Sequence, residues 1–169
     1  AQAQGGFAAV GDTALADIAA CHIEAYSEAC LPAGSARSAR FSYLFARSRR
    51  EVHEIVADIG RELRASAFRP ADTELSFRPG GALPPVTVQT PGGCSRITGF
   101  VDRVDLYDTG PMAYYRVVDY KTGRKDFDYA DLLEGEGLQM LIYLFALRRY
   151  GSARYGKPIE PAGVLYVPS

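Results

Sequence analysis

The sequence contains few cysteines. There are three among its 169 residues, Cys21, Cys30 and Cys94, and they lie far apart without a CxxC spacing. Neither a disulfide framework nor a structural zinc site is therefore indicated. We expect reduced and mostly packed thiols.

The chain also lacks a long hydrophobic run. None of its apolar stretches approaches the roughly 20 residues that span a bilayer, and its first residues show no basic segment followed by an apolar one. These absences predict a cytoplasmic protein without a membrane partner.

A surplus of positive charge is missing as well. The formal net charge is −1, whereas proteins that bind nucleic acid through its phosphates usually carry a basic surface. One stretch, residues 37–69, holds eight arginines against four acids. A solvated helix face explains this stretch more simply than phosphate binding does.

The composition is otherwise that of an ordinary folded domain. Hydrophobic residues make up 47% and charged residues 23% of the chain, which is enough for a self-supporting core. The chain begins AQAQGG without Met and stops at YVPS directly after a strand-like run, so we expect an excised piece of a longer protein. We expect residues 1–169 to form a single domain, with a mainly helical part over 1–69 and a catalytic sheet with a flanking helix over 70–169.

Hydrophobic spacing predicts two helices in the first part. Leu15, Ile18 and Ile23 recur at helical spacing within residues 12–29. After a break at 32–38, apolar residues from Val52 to Leu63 predict a long amphipathic helix that ends near residues 68–70.

After residue 70 the hydrophobic period changes from helical to alternating. A short DTGP loop between two of the resulting strands predicts an antiparallel hairpin. A helical segment over 132–150 and a final buried strand follow, so the chain predicts an α/β fold with a mixed central sheet flanked by helices. The predicted strands cover residues 73–77, 86–89, 96–108, 113–123 and 161–167.

Two acids and a lysine are predicted to meet on the hairpin. Asp119 and Lys121 share one strand face because side chains alternate, and the pairing brings Asp102 beside Asp119. Two carboxylates about 4 Å apart repel by roughly 4 kcal/mol at an effective dielectric near 20, so a compensating cation is expected. Mg²⁺ suits such a pair, and Lys121 would orient or help to deprotonate a bound water and stabilise phosphate charge.

The order of three motifs carries a family resemblance. GFVDRVD, VVDYKTG and GLQMLIYL in succession resemble the RecB-type branch of the PD-(D/E)xK nucleases, which have a restriction-endonuclease-like core. FRPADTELSF, GALPPVTV and PAGVLYV are similar to segments of AddB nuclease domains, which belong to bacterial AddAB helicase-nucleases. The resemblance extends over roughly residues 37–168.

The resemblance implies roles for single residues. Asp102 and Asp119 match the metal ligands of the family and Lys121 its catalytic lysine, with the Tyr120 carbonyl as a further candidate ligand. The implied cation is Mg²⁺, with Mn²⁺ as a substitute.

Three further residues match motif positions around this centre. Gln139 and Tyr143 match the QxxxY motif and, at i and i+4, share a helix face that would touch DNA or brace the site. Glu74 matches an acid on the strand before the hairpin, an expected outer ligand or water partner. Asp105 lies on the opposite strand face from Asp102, and we expect it to pair with a nearby arginine.

The chain departs from the family at two places. Neither His22 nor His53 has the surroundings of the family's metal-site histidine; a packed side chain is expected for His22 and a surface position for His53. The three cysteines do not match the four that hold an iron–sulfur cluster in AddB-like proteins. The cluster is therefore expected only in a full-length parent.

The resulting functional hypothesis is Mg²⁺-dependent exonuclease action on DNA. The implied substrate is single-stranded ends, and the implied partner is an AddA-like helicase-nuclease that acts in double-strand break repair. Two alternatives remain open: an inactive nuclease-fold module that grips DNA or docks the helicase, and a folded but inert fragment.

Overall fold

The computed structural model describes residues 9–30, 38–121 and 138–168. Contacts within the chain separate it into two compact units, residues 1–67 with residue 169, and Phe68–Pro168. No described helix is long and apolar enough to cross a membrane.

The described part of the first unit forms helices α1 (Asp12–Cys30) and α2 (Ala39–Ala65). Ser38 caps α2, because its Oγ accepts a hydrogen bond from the Phe41 N–H at 3.1 Å. Near the other end of α2, Arg64 donates to the Val10 carbonyl at 3.2 Å and forms an ion pair with Asp12. These contacts tie the last turn of α2 to the start of α1.

Helix α1 confirms the prediction for residues 12–29, whereas α2 differs from its prediction at both ends. It begins at Ala39, before the apolar stripe that starts at Val52, and it ends at Ala65 because the chain turns into a strand at Arg69. Val52 itself is 41% exposed. Most of the predicted break at 32–38 lies outside the described residues, since only Ser38 belongs to them.

The second unit is built on a four-stranded sheet. Its strands are β1 (Arg69–Phe77), β4 (Gly99–Asp108), β5 (Ala113–Lys121) and β6 (Ile159–Pro168), in the order β1-β4-β5-β6. The first two pairings are antiparallel and β5 with β6 is parallel, so the predicted hairpin and mixed sheet are confirmed. The last positions of the predicted strand 113–123 lie beyond the described part.

Helix α3 (Leu138–Tyr155) packs on this sheet. Tyr115 of β5 donates to the Leu144 carbonyl of α3 at 2.8 Å, which identifies the sheet face that α3 covers. Burial raises the pKa of Tyr115 to about 12, so its hydroxyl remains a donor. The predicted helix over residues 132–150 is confirmed from Leu138 onward, and residues 132–137 lie outside the described part.

The predicted continuous strand over residues 96–108 is wrong. Residues up to Ile97 belong to β3 (Gly93–Ile97), which pairs with β2 (Val86–Thr90) in a separate two-stranded sheet. The next strand, β4, begins at Gly99, where an added Cβ would lie 2.8 Å from Cζ of the Phe77 ring. Close packing against that ring therefore requires glycine at the point where the chain passes from one sheet to the other.

Several burial predictions also need correction. The thiols of Cys21 and Cys94 are free as predicted but exposed, and His22 is exposed rather than packed. His53 is half-buried. Strand β6 is exposed over residues 160–162 and half-buried over 163–167, and not buried as predicted, because it stands last in the sheet order.

Leu147 is a test of the core beneath α3. It is fully buried, and Phe145, two positions earlier on the same helix, is 59% exposed. We expect Leu147→Ala to lower the free energy of unfolding by about 2–5 kcal/mol because it leaves a cavity. Phe145→Ala should change it by less than about 1 kcal/mol. Urea unfolding followed by circular dichroism measures both values, and equal losses would contradict this packing.

Candidate active site

Asp119 lies near the end of β5 and is 1% exposed. It alternates with Tyr115 and Val117, so its side chain is on the face that α3 covers. Lys121 Nζ is 2.8 Å from its Oδ2, an ion-pair distance. The angles at this contact are not those of a hydrogen bond, and no described residue donates an aligned hydrogen bond to Oδ2. Asp119 therefore presents a buried oxygen with unused acceptor capacity.

Asp102 stands opposite Asp119 on the neighbouring strand. The antiparallel register pairs Arg103 with Val118, and the next position along each strand is Asp102 on β4 and Asp119 on β5. Asp102 Oδ2 accepts a hydrogen bond from the Tyr120 N–H at 3.0 Å. The hairpin thus brings the two acids to the same end of the sheet, as its sequence predicts.

Lys121 follows on the same strand, with its side chain 32% exposed. The adjacent Asp119 carboxylate raises the pKa of Lys121, so the side chain is an ammonium group at neutral pH. Its Nζ also donates to Gln139 Oε1 at 3.2 Å. In this state Lys121 offers positive charge and hydrogen-bond donors, and it cannot accept a proton.

Gln139 and Tyr143 connect Lys121 to the core. Gln139 Nε2 donates to Tyr143 Oη, and both residues lie on α3 one turn apart. Tyr143 is 6% exposed, and its ring packs edge-on against Phe77 with centroids 5.7 Å apart. This arrangement agrees with a bracing role for the QxxxY pair.

Glu74 is not grouped with the two aspartates. It is exposed on β1, where Thr73 pairs with Arg103 and Leu75 with Val101, so the register places Glu74 level with Asp102. Its φ of 51° lies in the left-handed region, which is uncommon for residues other than glycine. In the described part of the chain, no three His, Cys, Asp or Glu side chains are close enough to hold a metal ion together.

The donor set nevertheless fits a hard divalent cation. Two carboxylates face one ammonium group, which leaves a local excess of one negative charge. The Oδ2 atom of Asp119 is buried and receives no aligned hydrogen bond from the described part of the chain, so it is able to act as a ligand oxygen. Mg²⁺ is held in proteins by one or two carboxylates together with waters and substrate phosphate, and Asp102 and Asp119 provide that number.

The family follows from comparison with known proteins. A family model described as the PD-(D/E)XK nuclease superfamily matches residues 8–169. The chain belongs to this superfamily. Its mixed sheet with a packed helix is the corresponding α/β fold.

Relatives of this superfamily member carry one shared description. Each is named as the B subunit of an ATP-dependent helicase/deoxyribonuclease. This chain is 39% identical over 134 residues to the protein of Acetivibrio thermocellus, 38% over 130 to that of Ruminiclostridium cellulolyticum and 36% over 130 to that of Geobacillus kaustophilus. The matches cover 76–79% of this chain. They cover only 11–12% of the relatives, so this nuclease-superfamily domain corresponds to a small part of each.

Sequence reasoning missed two arginines near the nuclease-superfamily motifs. The expected ion pair of Asp105 is confirmed, but the structure shows two partners, Arg103 and Arg116. A signal was available. Arg103 and Asp105 share one face of β4, and the predicted hairpin places Arg116 directly opposite Asp105.

Proposed function

We propose that this chain is a metal-dependent deoxyribonuclease domain that hydrolyses DNA phosphodiester bonds. The observation that carries the proposal is the buried Asp119 carboxylate, which lies beside both Asp102 and Lys121 and whose Oδ2 receives no aligned hydrogen bond from the residues that the structure describes. Two carboxylates beside one ammonium group carry a net charge of −1, which a purely structural site has no reason to keep and which a divalent cation would offset.

Asp102 and Asp119 would hold Mg²⁺ or Mn²⁺, with the Tyr120 carbonyl as a third oxygen ligand. A bound cation would polarise the phosphate and lower the pKa of an attacking water. The Tyr120 N–H fixes one oxygen of Asp102, which limits the rotation of that carboxylate. Glu74, level with Asp102 on β1, would serve as an outer partner for water.

Lys121 would stabilise charge that develops on the phosphate. Its pKa is raised by Asp119, so the ammonium group stays charged while it faces a phosphate oxygen. Gln139, braced by Tyr143, accepts a hydrogen bond from Lys121 and limits the positions of its long side chain. Less reorganisation is then needed when the substrate reacts.

The relatives suggest a setting for this activity. We infer an exonuclease domain of an AddAB-type helicase-nuclease that acts in the bacterial cytoplasm. It would degrade single-stranded DNA ends released by an AddA-like partner during double-strand break repair. The support is the shared name of the relatives, which describes one component of a helicase/deoxyribonuclease, at 36–39% identity.

Cleavage of end-labelled single-stranded DNA tests the proposal. We expect cleavage with Mg²⁺ or Mn²⁺ and none with EDTA, because both carboxylates need a cation to approach a phosphate. A covalently closed circle of the same sequence should resist cleavage if the domain requires an end. A folded chain that binds Mn²⁺ in calorimetry and retains DNA without cutting either substrate would instead support a DNA-gripping or docking module.

A further inference from the structure

A buried charge cluster lies on the sheet face opposite α3. Asp105 is fully buried and Arg103 is 4% exposed. Both alternate along β4 with Val104, which belongs to the core shared with Met140 and Leu147 of α3. The cluster and the candidate active site are thus on opposite faces of the same two strands.

Both carboxylate oxygens of Asp105 are occupied by guanidinium groups. Arg103 binds in a bidentate manner, with Nε donating to Oδ1 at 2.8 Å and Nη2 to Oδ2 at 3.0 Å. Arg116 Nε donates to Oδ2 at 2.9 Å. Asp105 therefore orients the Arg103 guanidinium through two bonds, and Arg116 secures Asp105 from the neighbouring strand.

The remaining arm of Arg103 reaches Tyr120. Arg103 Nη1 donates to Tyr120 Oη at 2.7 Å, and the guanidinium carbon lies 5.8 Å from the centre of the tyrosine ring. The backbone of Tyr120 contacts a different residue, since its N–H donates to Asp102 Oδ2 at 3.0 Å. One residue is thus attached to the charge cluster by its side chain and to a candidate metal ligand by its backbone.

We propose that Asp105, Arg103 and Tyr120 form a positioning relay that sets the spacing between Asp102 and Asp119. The inference rests on the proposed function, because this spacing matters to a cation that both carboxylates share. A phenol anchored at its hydroxyl holds the Tyr120 peptide in place, and that peptide both follows Asp119 and donates to Asp102. Substitution of residues that hold metal ligands in position commonly lowers metal affinity or activity by about 10–100-fold.

Tyr120→Phe tests the relay with the least disturbance, since it removes one oxygen and keeps the ring. Tyr115→Phe is the matched control. Tyr115 is a buried tyrosine on the same strand whose hydroxyl donates to the Leu144 carbonyl at 2.8 Å, outside the candidate site. Both variants lose one partly buried hydrogen bond of a tyrosine hydroxyl, so a general loss of stability should affect them alike.

Two measurements on the full chain separate positioning from stability. Amide hydrogen exchange by NMR, without metal, reports the hydrogen bond from residue 120 to Asp102. Calorimetric titration with Mn²⁺ measures the affinity of the carboxylate pair for the cation. We expect Tyr120→Phe to speed exchange at residue 120 and to weaken Mn²⁺ binding, each by about tenfold. Tyr115→Phe should leave both values within about twofold of the wild type.

Unchanged exchange or unchanged Mn²⁺ affinity in Tyr120→Phe would overturn the relay. Equal changes in Tyr115→Phe would overturn it too, because the effect would then be a general loosening of β5. A wild-type chain that neither binds Mn²⁺ nor cuts DNA would contradict the proposed function instead. Exchange at residue 120 would in that case decide by itself whether the anchored phenol holds the peptide.

Discussion

Asp119→Asn is expected to reduce metal-dependent DNA cleavage by at least about 1,000-fold. Asparagine keeps the shape of the side chain but removes the charge of the buried carboxylate, so this position attracts a cation far less strongly. Mn²⁺ affinity should fall with it. The loss of stability should be small, because the partner Lys121 is 32% exposed and can be solvated.

Initial rates of cleavage of a labelled oligonucleotide, measured across a range of Mn²⁺ concentrations, check this expectation. Asp72→Asn is the matched control. Asp72 is likewise a carboxylate in an ion pair, with a side chain that is 16% exposed, and it is bonded to Arg154 and Tyr155 outside the candidate site. We expect near wild-type rates for the control. An Asp119→Asn variant with more than about a tenth of the wild-type rate would remove Asp119 from the proposed chemistry.

Lys121→Met is expected to lower kcat by about 100- to 1,000-fold while Mn²⁺ binding persists. Methionine retains much of the length of lysine but provides neither charge nor donors for a phosphate oxygen, and loss of one such donor typically costs this much. The ammonium group lies 2.8 Å from Asp119 Oδ2, the same oxygen that a cation would use. Its removal should therefore leave Mn²⁺ affinity at least as high as in the wild type.

Single-turnover cleavage at saturating Mn²⁺, together with calorimetric titration, separates the two effects. Lys157→Met serves as the control, since Lys157 also pairs with an aspartate, Asp108, at 2.6 Å. It should cleave DNA at the wild-type rate. If Lys121→Met loses Mn²⁺ binding together with activity, Lys121 holds the site together and does not act on the phosphate.

Much of the sheet was predictable because local patterns specify it. Alternating residues and a short loop predict the β4–β5 hairpin, and its register places Asp102 opposite Asp119. The break between β3 and β4 was not predictable in this way. Residues 96–108 contain no proline and no pair of turn residues to mark a break, and the change of pairing partner at Thr98 depends on where β2 and the Phe77 ring lie.

In the candidate site, too, some features follow from residue spacing and others depend on packing. Sequence spacing places Asp119 and Lys121 on one strand face and Gln139 and Tyr143 one turn apart on a helix, and the structure joins them through the bond from Lys121 to Gln139. That bond depends on how α3 packs on the sheet, which strand patterns do not specify. Glu74 shows the reverse case, because a matching position on β1 does not bring its exposed side chain into a metal-binding group with the aspartates in the described chain.

The amino-acid sequence by itself determined the nuclease motifs, the mixed α/β sheet and the convergence of two acids and a lysine, because strand alternation and a short hairpin are local properties. Only the tertiary structure decided which atoms are satisfied. Asp119 Oδ2 is buried and receives no aligned hydrogen bond from the described residues. Hydrogen bonds within and between β4 and β5 connect Asp105 through Arg103 to Tyr120. Such bonds depend on distances and angles between side chains that meet only when the sheet has formed, so residue spacing alone cannot specify them.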